Sequence, residues 1–482
     1  MDDKEDRLIL YGAGRNGRLA LDRYGQECVA FFCDNDPKKA GSRIEGVAVI
    51  SFEEMLKMHD DGYVIMITPA VRSYLIEQLE QAGIYDYLIF DNDETRFPLK
   101  TNVETEEKYR DHNRLLMELV SESCKKEPLE DISALREISK EAKRLHFEEN
   151  LMLAHYGFHS EGQYYGNMRV LLDYAGIKEE DISYFPEVSH ADSMPVYYVD
   201  FMYRTAVIMS GVYYRNRIHK RTPWIPVFSV GPYIHYAQGI YSQEKVSELK
   251  RRNGRTLLAF LPHSIEGYEK KYSYKTFIDG ILKIYGIEFD KIMVCVYWAD
   301  TDSMACSYAQ EKGMQVVSAG LRWDEKFDQR LKTLFELTDA VVCGDVGTFI
   351  SYAVYMNKPI GRIDGEVEKD LYVMQLSDAE KTLGAGKEYL EFMSEYNRLF
   401  DSKLRIDPAH RKYMDPFAGF DQIRSIEYIK NISKISKDIW MRSEGDMRCY
   451  PEAVRQVYRK YEKQNDFCKM SMLREATGAF VD

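Results

Sequence analysis

Thr338-Asp339-Ala340-Val341-Val342-Cys343-Gly344-Asp345-Val346-Gly347-Thr348 is the stretch on which the fold turns. Ser351-Tyr352-Ala353 follows it, and Lys358-Pro359-Ile360 leads on to the next apolar run. An apolar strand ends in a turn of Gly and Asp, and a helix starts near Thr348. The free N–H groups of a helix start and the helix dipole point at one spot, which suits an anion. In an α/β sheet the same spot, outside the carboxyl end of a strand, is where ligands sit. The anion expected there is the phosphate or diphosphate of an activated sugar, with Gly347 and Thr348 as its cradle. An ordinary strand–turn–helix joint is the plainer reading of the same letters.

Upstream, Thr256-Leu257-Leu258-Ala259-Phe260-Leu261 is an unbroken apolar run, as a strand buried on both faces requires, and it ends in Pro262-His263-Ser264. Lys291–Val296 and Met314–Val317 repeat the pattern, so several strands end in polar loops on one rim of a parallel sheet. His263 and Ser264 thus stand in one of these rim loops. Before them, Asn150–Ala154 reads as a strand, and His155-Tyr156-Gly157-Phe158-His159-Ser160-Glu161-Gly162 as the loop after it. His159 and Glu161 are the candidate general bases, since His titrates near neutral pH and Glu is the next choice. Asn167–Tyr174 should be helical. Thr205–Gly211 and Val227–Gly231 read as strands running into turns. A basic cluster (Arg215, Arg217, His219, Lys220, Arg221) suits either an anionic ligand or a solvated face.

The N-terminal hundred residues alternate strand and helix patterns. Leu8–Tyr11 runs into Gly12-Ala13-Gly14-Arg15-Asn16-Gly17, a G-x-G-x-x-G, and the strand Val29–Cys33 ends at Asp34. Gly12, Gly14, Gly17 and Asp34 together form the fingerprint of a nucleotide-binding half-domain. Hydride chemistry of the extended short-chain kind would also need Tyr-x-x-x-Lys on a helix. Tyr174…Lys178 has Gly176 inside it and Tyr241…Lys245 sits in a loop-like stretch, so a sugar-nucleotide or purely structural role ranks above NAD binding.

The chain has 482 residues, enough for roughly three domains. Its net charge of −13 argues against nucleic acid as a partner. Thirty-six tyrosines offer apolar faces with polar tips, which suit sugar or base pockets. The eight cysteines form no C-x-x-C pair and read as buried hydrophobes in a reducing compartment. The acidic start leads straight into a strand, and no apolar run nears the roughly 20 residues of a membrane helix, so the expectation is cytoplasmic. Thr101–Glu149, with its charge runs, reads as linker helices with solvated faces. Asp300-Thr301-Asp302 has the letters of a metal pair but an unsuitable setting, and no metal is expected.

Two resemblances sharpen this. Tyr11–Gly17, Asp34-Asn35-Asp36-Pro37 and Ile44–Ile50 resemble the small N-terminal domain of bacterial sugar-nucleotide acetyltransferases, which implies contact with a sugar nucleotide. Pro262-His263-Ser264 and Gly344–Pro359 resemble GT-B glycosyltransferases, above all bacterial capsule and surface-polysaccharide enzymes, with Phe349 where a His is common after the Gly-Thr. The fold class expected is α/β: a small N-terminal Rossmann-like domain (1–100), a charged helical linker (101–149), two facing Rossmann-like units (150–250, acceptor side; 251–425, donor side) and C-terminal helices (426–482). The resemblance implies a metal-independent, inverting glycosyltransferase with a nucleotide sugar as donor, its phosphate bound by His263, Ser264, Gly347 and Thr348, and a glycan or lipid-linked glycan as acceptor. Tyr458–Lys463 reads as a charged, solvated helix face, the alternative being a surface for anionic lipid and so peripheral contact with the inner face of the cell membrane; oligomeric state stays open. Two rivals remain: a sugar-nucleotide oxidoreductase or epimerase using the N-terminal glycines with NAD, and a non-catalytic sugar-nucleotide-binding protein.

Overall fold

A computed structural model describes residues 7–69, 73–84, 87–90, 114–130, 132–145, 164–178, 182, 184–189, 204–263, 272–364, 387–444 and 449–481. The chain divides into two compact units. The first holds Met1–Met117, Arg144–Gly157 and Tyr372–Gly386, and the second holds Glu118–Lys143, Phe158–Leu371 and Lys387–Asp482.

In the first unit six strands form one sheet: β1 (Leu8–Tyr11), β2 (Val29–Cys33), β3 (Arg43–Ile44), β4 (Val47–Ile50), β5 (Val64–Ile67) and β6 (Leu88–Ile89). Their order is β3-β4-β2-β1-β5-β6, parallel except for the β3–β4 hairpin. That hairpin turns through Glu45 and Gly46, both at positive φ, as a two-residue turn between twisted strands demands. β1 is buried along its whole length and central. The chain leaves it in one direction for β2 and β4 and in the other for β5 and β6. The crevice where the order reverses therefore opens beside the Gly12–Gly17 turn.

The second unit carries two sheets. β7 (Glu187–Val188), β8 (Val207–Met209) and β9 (Val227–Ser229) are parallel neighbours. β10 (Thr256–Phe260), β11 (Lys291–Cys295), β12 (Gln315–Val317), β13 (Ala340–Cys343) and β14 (Ile360–Arg362) form an all-parallel sheet in the order β12-β11-β10-β13-β14. The alternation along β10 explains its unbroken apolar run. Leu258 and Phe260 join a core shared with Val207, Met209 and Val227, while Leu257 and Ala259 pack on the other face with Phe277, Ile278 and Ile281.

The C-terminal helices Ile426–Ser443, Tyr450–Lys463 and Phe467–Thr477 join the three-stranded sheet, through Ile429, Ile432, Ile435 and Val457 against Val188, Ile208 and Phe228. The expected solvated linker is corrected in part: residues 118–143 belong to the second unit. Leu129 enters one of its cores and Ile132 the other, and Leu135, Ile138 and Ala142 bury one stripe of the helix Ser133–Lys143. The expected strand Asn150–Ala154 lies outside the described residues.

Candidate functional site

The three glycines of the first turn are held by three different constraints. Gly12 has φ +116°, and a Cβ there would lie 2.5 Å from the ring of Pro69. At Gly17 a Cβ would lie 2.1 Å from the carbonyl oxygen of Gly12, so this glycine lets the helix Arg15–Tyr24 close onto β1. Around Gly14 there is nothing within 4 Å. The middle glycine is thus not required by the protein's own packing, and it sits at the start of a helix. Open space at that position is what close approach of a diphosphate to the backbone needs.

Asp34 is used internally. Its Oδ2 accepts hydrogen bonds from the Ala13 N–H and from Lys39 Nζ, both at 2.9 Å, and its Oδ1 accepts from the Asp36 N–H. The carboxylate therefore pins the glycine turn to the end of β2.

On the five-stranded sheet the order reverses between β10 and β13. His263 follows β10 and the Gly344–Thr348 turn follows β13, so the two predicted phosphate loops flank that crevice. They touch: a Cβ on Gly344 would lie 2.8 Å from Pro262. The half-buried His263 lies against the Tyr297 ring of the neighbouring rim loop, with centroids 4.7 Å apart. Thr348 opens the helix Thr348–Tyr355, whose N-cap residue, Gly347, has no side chain to cap it. Gly347 is extended, so its backbone would suit any residue. What keeps it glycine is Phe349, whose ring atom lies 2.4 Å from where a Cβ would be. That ring stacks on Phe260 at 4.4 Å and 7°. The Phe in place of the frequent His thus fills the core beneath the turn. Ser264, His159 and Glu161 lie outside the described residues.

The rim loop after β12 is fixed by a buried ion pair. Asp324 and Arg330 meet at 2.7 Å with side chains 0% and 1% exposed. Asp324 also accepts from Ser123 Oγ and Cys124 Sγ, and Arg330 donates to the Ser123 and Lys126 carbonyls. The segment preceding Pro128 is therefore anchored to the rim.

Other expected features separate. Tyr174 ends the helix Asn167–Ala175 and Lys178 lies beyond its Gly176 cap, so they do not share a helix. Tyr241 and Lys245 do meet, with Nζ 4.0 Å from the ring centroid, and both bond Glu130. They lie in the second unit, whereas the Gly12–Gly17 turn is in the first. In the basic cluster, Arg215 donates to the Glu475 carbonyl and His219 Nε2 pairs with the Ile225 carbonyl oxygen. Burial lowers the His219 pKa. Asp302 faces Lys143 at 3.9 Å, and among the described residues no group of three or more acidic, His or Cys side chains is arranged for a metal. No helix among the described residues is long and apolar enough to cross a membrane.

A feature absent from the sequence expectations is a cleft of about 600 Å³ in the second unit. Glu127, Asp173, Tyr174, Tyr236, Gln238 and Gln329 are among its lining residues, so it gathers side chains from four separate stretches. Tyr174 stands edge-on to Tyr236 at 4.8 Å, and the Tyr236 hydroxyl accepts from the Arg424 N–H. Beside it His235 Nδ1 pairs with the Tyr355 hydroxyl at 2.5 Å.

No family model and no curated protein matches the chain. Among solved structures it is similar to a UDP-GlcNAc 2-epimerase from Neisseria meningitidis bound to UDP-GlcNAc, at 12% identity over 90% of this chain and 99% of that one, with a TM-score of 0.26. It is similar to the wall teichoic acid polymerase TagF at 11% identity over 92% of this chain and 90% of that one, with a TM-score of 0.27. An E. coli ADP-heptose lps heptosyltransferase II aligns at 9% identity over 74% and 84% of the two chains, with a TM-score of 0.22. Scores this low do not assign the chain to a fold family.

Proposed function

We propose that the chain is a glycosyltransferase of GT-B-like organisation, moving a sugar from a nucleotide-activated donor to a glycan or lipid-linked glycan in bacterial surface-polysaccharide synthesis. The observation that carries this reading is the pair of rim loops at the reversal of the five-stranded sheet. One brings His263 and the other the helix start at Thr348, and they touch through Gly344 and Pro262. N–H groups at a helix start and a histidine can take the charge of a departing phosphate without a metal. Transfer with inversion then needs one base on the acceptor hydroxyl. His159 and Glu161 keep that proposed role, and Ser264 keeps its proposed donor contact. A peripheral membrane position would suit a lipid-linked acceptor.

The test is binding first and turnover second. UDP, GDP and ADP, each alone and as sugar conjugates, are screened by melting temperature. A nucleotide present at 100 times its Kd should add about 2.7 kcal/mol of stability. His263→Ala should weaken nucleotide binding by about 1.5–3 kcal/mol, the worth of a charge-assisted contact, while leaving the unliganded melting temperature in place. A parent protein that binds none of the nucleotides rules the transferase reading out. Nucleotide binding that His263→Ala leaves intact moves the donor away from this rim.

A further inference from the structure

We infer that the cleft lined by Glu127, Asp173, Tyr174, Tyr236, Gln238 and Gln329 is a binding site for a neutral, hydroxyl-rich ligand of one or two sugar rings. The inference deepens the transferase reading, for which this cleft would hold the acceptor. Its size of about 600 Å³ falls within the range of small-molecule sites. Its lining is unsuited to a nucleotide diphosphate: two carboxylates, Glu127 and Asp173, face a single cation, Lys326. Hydroxyl groups match what remains, namely acids and the amides of Gln238 and Gln329 for hydrogen bonds. Tyr174 and Tyr236 add aromatic faces, their hydroxyls being held by the protein, Tyr236 donating to the Val230 carbonyl and Tyr174 to the Arg424 carbonyl.

The particular signal is Glu127. It is half-buried, yet its Oε1 is sealed from solvent with no hydrogen-bond partner among the described residues. Leaving a carboxylate under-bonded in a protein interior is destabilising, so such a group needs another reason to be there. Burial raises its pKa, against the pull of Arg330, Lys245 and Lys326 and with the push of Glu130. The carboxylate also lines the cleft, and a ligand hydroxyl there would donate to its cleft-facing side and offset part of the cost of its burial. The chain pays structural attention to the spot: the Arg330–Asp324 pair holds the Ser123–Lys126 backbone immediately before Glu127.

The test uses the full chain and three free sugars, glucose, N-acetylglucosamine and maltose, followed by saturation-transfer NMR. At least one should receive saturation from the parent protein. Gln238→Trp, a change at an exposed loop position, should fill the mouth and abolish the signal. Glu127→Gln should weaken the same sugar about tenfold, the effect of losing one hydrogen bond to a charged group. Its melting temperature should equal or exceed that of the parent, which a purely structural carboxylate would not allow. No sugar bound by the parent, or the same sugar bound equally by both variants, overturns the assignment. Nucleotide binding, read separately by melting temperature, should persist in both variants. A parent that binds a sugar but no nucleotide would sink the transferase reading and leave this cleft standing.

Discussion

Leaving aside the edge strand β3, the six-stranded and the five-stranded sheets have the same order of parallel strands and a glycine turn at the reversal of each, yet the two turns differ in what their glycines are for. In the first unit Gly14 faces open space, while its neighbours Gly12 and Gly17 are closed against Pro69 and against each other. In the five-stranded sheet Gly344 is closed against Pro262 and Phe277, and Gly347 against Phe349. Glycine letters after a strand therefore do not by themselves mark a ligand cradle. The direction a Cβ would take distinguishes a glycine kept for a ligand from one kept for packing. The two rims also share a device, an aspartate that pins a loop, but Asp34 is part-buried and paired with an exposed lysine, whereas Asp324 and its partner are both interior.

The sharpest way to break that contrast is to remove the aspartates. Asp324→Ala leaves the Arg330 guanidinium buried without its counter-charge and should lower unfolding free energy by about 3–5 kcal/mol in urea titration. Asp34→Ala removes two backbone contacts and a pair with a Lys39 side chain that is 39% exposed. Solvent screening at Lys39 should hold its cost to about 1–2 kcal/mol. Equal losses in the two variants would mean that both rims are fixed alike. Gly17→Val comes next in size. Its Cβ would meet a backbone oxygen, which cannot rotate away, so a loss of about 1–3 kcal/mol is expected, measured on the unfolding of the first unit.

The sheets were legible because their strands are short, apolar and punctuated. Leu8–Tyr11, Val29–Cys33, Thr256–Phe260, Lys291–Cys295 and Ala340–Cys343 all stand where the apolar runs are. The helix Asn167–Ala175 also falls on its expected span. What stayed hidden depends on side chains meeting across long stretches of sequence. β7 is only Glu187–Val188, and its Glu187 is buried against Arg204, a pairing no local pattern announces. Glu127 stands in a charged run beside Lys126, so nothing in the letters separates it from a solvated face. The cleft draws on residues from 127 to 329, and no short motif contains it. Phe349 was visible as a departure from the resembling family, but its ring's place over Gly347 was not.

Gly347 allows that last point to be sharpened. Gly347→Ala places a methyl group against the Phe349 ring, which is itself stacked on Phe260 and has little room to yield. The expected cost is about 1–2 kcal/mol. Repeating it in a Phe349→Ala background should erase most of that cost, giving a coupling of about 1 kcal/mol in a double-mutant cycle. Additive losses would mean that the ring is not what excludes the side chain, and a cradle role for Gly347 would regain ground over packing.

The smallest effect on stability is expected at Gly14, and it is the most telling. The residue is extended and precedes the helix Arg15–Tyr24, with nothing within 4 Å of a Cβ. Alanine there restricts the unfolded chain, which is stabilising by a few tenths of a kcal/mol, and is a slightly poorer helix start, which offsets it. The melting temperature should stay put, with a free-energy change within about 0.5 kcal/mol. A ligand whose phosphate approaches the turn backbone would meet the new methyl group directly. The proposed nucleotide contact of the first unit therefore predicts that Gly14→Ala weakens nucleotide binding while Gly347→Ala weakens stability. To keep this from being confused with the rim near His263, binding is compared in Gly14→Ala, His263→Ala and the double variant. Independent losses that add would indicate two nucleotide sites. If Gly14→Ala binds every nucleotide as the parent does, the open space beside it is not a cradle, and the first unit has no claim to a ligand from its glycine turn.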